Sequence, residues 1–209
     1  ETEWSAPTYF TTLSGIDVSV SAAGYATLYY GDKNLVVPEG VEASAITMES
    51  GSITQTQVYA AGDIIPMGTG VLLQASEGDY VFGVTTEEGT AASANMLRGS
   101  DEEELTTGGD IYYKLSLNAN SDPESVGFYY GAEGGAAFTN GAHKAYLALP
   151  AEQAAGANYV WYDVTGISGV KAVENNGKDA YTVTGIRVNK SSDMPKGIYI
   201  VGGKKVVVK

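Results

Sequence analysis

The chain has 209 residues and a formal charge of −13, from 12 basic and 25 acidic side chains. That balance excludes nucleic acid, whose affinity comes from cations set on phosphates, and disfavours an anionic membrane surface. There is no Cys, which removes disulfides, thiolate catalysis and Cys-ligated zinc together.

Hydrophobic residues at 44 % suffice for a buried core, and 15 Tyr with 27 Gly suit pleated sheets and tight turns. The expected class is all-β, an antiparallel β-sandwich or a partly open barrel with a small C-terminal β-hairpin appendage. Residues 1–14 open on Glu1-Thr2-Glu3-Trp4 without an initiator Met. They are expected to be a lead-in from an upstream region, with Trp4 plugging a sheet end. Ile16, Val18 and Val20 then alternate with Asp17, Ser19 and Ser21, a half-buried strand of period two. Strands follow at Ala26–Tyr30, Leu35–Val37, Ala43–Met48 and Ile53–Ala60, the last two flanking a polar hairpin turn at Glu49-Ser50-Gly51-Ser52. Val71–Ala75 and Tyr80–Val84 continue the series.

From Thr85 to Asp110 the pattern breaks, and Asp101-Glu102-Glu103-Glu104 reads as solvated loop. Calcium suits carboxylates, but adjacent acids do not converge on one point and no Asp-x-Asp-x-Asp-Gly spacing is present. Strand patterning resumes at Tyr112–Leu117, Val126–Tyr130, Ala145–Leu149 and Tyr159–Val164, with one helical turn within Glu152–Ala157. No apolar run approaches the ~20 residues of a membrane span.

Charge divides the chain. From Ser168 onward eight basic residues face three acids, or +5, leaving residues 1–167 with 4 basic and 22 acidic groups, or −18. A sign change at a Gly-containing joint predicts an acidic β-sandwich domain at 15–167 and a basic β tail at 168–209. In the tail, Ile198–Val201 and Val206–Val208 flank Gly202-Gly203, a hairpin signal. So few apolar positions bury little surface, so the tail is expected to dock on the acidic domain.

The tail Tyr181-Thr-Val-Thr-Gly-Ile-Arg-Val, followed by Pro195-Lys-Gly-Ile-Tyr-Ile-Val-Gly-Gly-Lys-Lys-Val-Val-Val-Lys209, resembles the type IX secretion sorting tails of Bacteroidetes secreted and cell-surface proteins, in a short form. Asn95–Gly99, Tyr112–Leu115, Val126–Tyr129 and Lys144–Leu147, with upstream Gly24–Tyr29 and Ile65–Leu73, resemble a β-rich module found near the C-termini of such proteins. The resemblance implies an extracytoplasmic chain, secreted or on the cell surface, joined to upstream domains of a parent protein.

Candidate chemistry is sparse. His143 is the sole His, so any His-based base or triad must pass through it; it lies in Asn140-Gly141-Ala142-His143-Lys144 and is expected to be an exposed loop residue. No Gly-x-Ser-x-Gly elbow occurs, and Gly131-Ala-Glu-Gly-Gly-Ala lacks the Lys-Ser/Thr of a phosphate loop. With 25 acids a pair at glycosidase spacing carries no weight. Tyr129, Tyr146, Tyr159 and Trp161 are the candidate ligand-contact residues. Each is out of phase with the more aliphatic face of Phe128, Leu147 and Val160, so they are expected on one sheet face, where such rings stack on sugars or pair across strands. The expectation is a non-catalytic structural or adhesion module without cofactor. Its partners would be the upstream domains and a glycan or host or cell-surface protein. The alternative is a carbohydrate-binding accessory module of a glycan-degrading enzyme.

Overall fold

The computed structural model describes residues 14–154 and 156–162, and the backbone of the strands within 180–208. Contacts divide the chain into two compact units, Glu1–Tyr162 and Asp163–Lys209. The first contains β1 (Gly15–Val20), β2 (Tyr25–Leu28), β3 (Asn34–Val36), β4 (Val41–Glu49) and β5 (Ser52–Tyr59). It continues through β6 (Ile64–Ile65), β7 (Val71–Ala75), β8 (Gly78–Thr85), β9 (Leu97–Gly99) and β10 (Glu104–Leu105). Then come β11 (Ile111–Ser116), β12 (Gly127–Tyr130), β13 (Thr139–Asn140), β14 (Ala145–Leu149), the single-turn helix α1 (Ala151–Ala154) and β15 (Tyr159–Val160).

The fold is all-β, and every described strand pair is antiparallel. A first sheet has the order β1-β8-β3-β6, a middle sheet β2-β7-β4-β5, and a third sheet β15-β12-β11-β14-β9; β10 and β13 form a separate ribbon. None closes on itself, so the sandwich and not the barrel is found. It carries one more layer than a two-sheet sandwich. The first core joins Val18, Leu35 and Phe82 of the first sheet to Leu28, Val71 and Leu73 of the middle sheet. The second joins Leu72, Ile46 and Ile53 of the middle sheet to Leu97, Tyr113, Phe128 and Leu147 of the third. The middle sheet is therefore buried on both faces, which explains the unbroken Val71-Leu72-Leu73.

Two local devices make this geometry. Ser50 (φ 51°) and Gly51 (φ 85°) both adopt the left-handed region between the paired Glu49 and Ser52, the two-residue turn whose twist matches a hairpin. Further along the same hairpin Ala45 opposes Gln57 while Ile46 opposes Gln55, so Thr56 is an extra residue in β5. Its hydroxyl donates to the carbonyls of Ala45 and Ala94. This bulge inverts the alternation: Ile53 faces the second core and Tyr59 the first.

The stretch from Thr85 to Asp110 contains the short β9 and β10, which the sequence pattern does not show. Between β8 and β9 the chain is held from both sides. Asn34 donates from its side-chain amide to the Glu87 carbonyl at 2.9 Å, and the Tyr59 hydroxyl donates to the Thr90 carbonyl at 2.9 Å. Gly89 lies between these anchors, and a Cβ there would collide with the Ile64 carbonyl. Backbone cannot yield as a flexible side chain does, so Gly89→Ala is expected to lower stability by about 1–3 kcal/mol. Urea denaturation checks it; an unchanged midpoint would refute the anchoring of this loop.

The second unit contains β16 (Ala180–Thr182), β17 (Arg187–Val188), β18 (Gly197–Val201) and β19 (Lys204–Val208), in the order β17-β16-β18-β19. Val201 opposes Lys204, which closes the expected hairpin across Gly202 and Gly203. The appendage is thus a four-stranded sheet and more than a hairpin. The 1–14 lead-in apart from Ser14, the Trp4 plug, the joint at 163–179 and the docking of the tail fall outside the described residues.

Candidate functional site

Antiparallel register fixes which side chains share a face. On the third sheet Arg98 opposes Tyr146, Lys114 opposes Tyr129, and Tyr129 opposes Tyr159. Tyr112 opposes Ala148 and Tyr113 opposes Leu147, so Lys114 and Tyr146 are next in the same register. One transverse row therefore crosses all five strands: Arg98, Tyr146, Lys114, Tyr129, Tyr159. It lies on the face away from the second core, which takes Phe128, Leu147 and Val160. The alternation inferred for Tyr129, Tyr146 and Tyr159 is the one observed.

Sharing a face does not make a ring accessible. Tyr146 is 4 % exposed and packs in a small outer cluster with Tyr112, Ala148 and Phe138. The segment after β12 folds back over it, and the Phe138 ring rests directly on Gly131, where a Cβ would occupy its place. The Tyr146 hydroxyl accepts from the Thr107 N–H and donates to the Thr107 carbonyl, at 3.0 and 3.1 Å. Trp161 departs from the face altogether. It follows β15, where pleat alternation lapses, and sits against the second core with centroids 5.0 Å from Tyr25 and 5.9 Å from Phe128. Of the four expected rings, two are presented together.

Those two are Tyr129 and Tyr159, with centroids 4.7 Å apart and planes inclined by 51°. Tyr159 is 39 % exposed and its ring covers Gly127. The Tyr129 hydroxyl donates to the Ser125 carbonyl at 2.7 Å and that of Tyr159 to the Val126 carbonyl at 3.3 Å. Burial, then the neighbouring Tyr129, raises the Tyr159 phenol above its ordinary value. Both rings are held at their polar tips, Tyr129 half-buried and Tyr159 partly open to solvent. Lys114 beside them was absent from the expected set, although its offset from Tyr113 and Leu115 is readable in the sequence.

His143 lies in a loop, as expected, but is half-buried and not freely exposed. It adopts φ 57° and stacks on Tyr30, with centroids 3.9 Å apart and planes within 8°. Its N–H donates to the Ser100 carbonyl, and its carbonyl accepts from the Tyr29 N–H. Its Nδ1 is buried 3.5 Å from Asp101 Oδ1, which itself accepts from the Gly31 N–H at 2.8 Å. Asp101 is thus drawn inward from a run whose other three acids, Glu102, Glu103 and Glu104, are exposed. Ser100 Oγ is buried with no hydrogen-bond partner among the described residues. The imidazole acts here as a wedge joining three loops.

Two grooves lie among the described residues. One of about 230 Å³ is lined by Tyr29, Asn95, Leu97 and Arg98 among others, and one of about 320 Å³ by Gln57, Asp63, Glu88 and Thr90 among others. Among the described residues no three His, Cys, Asp or Glu side chains gather as a metal site, and no helix is long and apolar enough to cross a membrane. Compared with known proteins, the chain matches no family model, no curated protein and no solved structure at significance.

Proposed function

We propose that this chain is a non-catalytic structural and adhesion module of an exported protein, displayed at the cell surface or secreted together with its parent's upstream domains. The observation that supports this reading is the use made of tyrosine. The hydroxyls of Tyr59, Tyr80, Tyr112, Tyr113, Tyr129, Tyr146 and Tyr159 all donate to main-chain carbonyls. Each net bond contributes about 1 kcal/mol, and each ties a loop to a sheet. In a chain without Cys these pins do for the loops what disulfides do in other exported domains. The tail's resemblance to sorting tails supports the same localisation.

A second reading, a carbohydrate-binding accessory module, is favoured by the presented Tyr129–Tyr159 pair. Amphipathic rings held by their hydroxyls are suited to stacking on a pyranose. Antibody raised against the purified chain is expected to label intact cells of its source or their culture medium. Signal confined to the cell interior would refute the exported reading. On a glycan array, retention of a saccharide favours the second reading, and binding to none leaves the first standing.

A further inference from the structure

We propose that the strip Lys114–Tyr129–Tyr159 is a binding site for a soluble oligosaccharide bearing carboxylate groups. This deepens the carbohydrate-binding reading and rests on it. Register places the three side chains in line across β11, β12 and β15, and strands lie about 4.8 Å apart, so the strip is about 10 Å long. Ring orientation is set before any ligand arrives. Both tyrosines are fastened through their hydroxyls to the carbonyls of Ser125 and Val126, so little side-chain entropy remains to be lost on binding.

The inclination of the rings selects the form of ligand. Two faces at 51° cannot both lie flat on a crystalline polysaccharide, whose sugar rings are coplanar. They suit a single chain free in solution, one sugar ring of which rests on the exposed part of a tyrosine ring. The charge beside the rings selects its chemistry. Lys114 is exposed and makes no ion pair among the described residues, whereas Lys33 is paired with Asp32 at 2.7 Å. It is one of only 4 basic residues against 22 acids in 1–167. A neutral sugar makes no ion pair with that ammonium, while a uronate gains a charge-assisted hydrogen bond from it.

Titration of the full chain with tri-galacturonate and with galactotriose, followed by NMR, tests the assignment. The galacturonate is expected to bind at least about tenfold more tightly, the effect of one charged hydrogen bond. Lys114→Gln is expected to abolish that preference without moving the melting temperature. Tyr129→Leu is expected to lose both sugars, while Tyr129→Phe, which keeps the ring but not its fastening, retains both more weakly. Equal binding of the two trimers overturns the carboxylate assignment and leaves the carbohydrate reading standing. Binding of neither, or capture of a tri-glutamate peptide in their place, overturns both.

Discussion

Raising the pH above about 10 is expected to unfold the chain cooperatively, with tyrosine ionisation and loss of sheet structure occurring together. Tyr113 is fully buried, and its hydroxyl donates to the Ala157 carbonyl at 2.8 Å. Burial, and secondarily the neighbouring Tyr130, pushes its phenol from 10.0 up to about 12. The protonated phenol is the neutral form that the core accepts. Between the two values the unfolded chain has released a proton that the native chain still binds, so stability falls as pH rises. Below about 10 both states are protonated and this contribution is intact. Two units correspond to about 3 kcal/mol, a large share of the 5–15 kcal/mol typical of a domain.

Tyr59, 1 % exposed, is likewise raised by burial and adds to the same loss. The phenols of Tyr25, Tyr29, Tyr30, Tyr159 and Tyr162 are raised chiefly by burial as well, with solvent reducing the contribution of the more accessible ones. Circular dichroism and phenolate absorbance, recorded in one alkaline titration, check this. Phenolate appearing in full while the sheets remain intact would sink it. Tyr113→Phe sharpens the test: it is expected to cost about 1 kcal/mol at neutral pH through the lost hydrogen bond and to move the alkaline midpoint upward.

The readable parts of this fold are those where local chemistry and tertiary environment agree. β1 buries Val18 and Val20 on one face only, so its period of two survives in the sequence. The turn at Ser50-Gly51 is equally local. β9 and β10 leave no such trace, because each is short and exists through its partner: Leu97–Gly99 through β14 and Glu104–Leu105 through β13. The bulge at Thr56 was illegible for a different reason. Alternation in β5 does not fail there but changes phase, and only the core each half faces reveals it.

The candidate site divides along the same line. Strand alternation alone put Tyr129, Tyr146 and Tyr159 on the outer face. It could not foresee that Phe138, on a segment with its own path, would cover Tyr146. Nor does a period of two extend to Trp161, which lies past the last paired residue. His143 gave no local signal, since its stacking on Tyr30 joins positions 113 residues apart in sequence.

Leu72→Ala and Leu73→Ala test whether the three layers are one cooperative body. The two residues are neighbours on β7, 1 % and 0 % exposed, and the pleat sends them into opposite cores. Each truncation leaves a cavity in a close-packed interior and is expected to cost about 2–5 kcal/mol. The cavities differ in place: one opens between the middle and third sheets, the other between the first and middle. If the middle sheet belongs equally to both cores, neither sheet pair outlives the other, because losing either layer exposes one whole apolar face of the middle sheet to water. Urea unfolding of both variants, made in a Trp4→Phe background, is therefore expected to remain a single transition for the three layers, with fluorescence of Trp161 against the second core and far-ultraviolet dichroism changing together. Were Leu73→Ala to unfold the first sheet while the Trp161 environment persisted, the layers would be two folding units that share a sheet only in the native state.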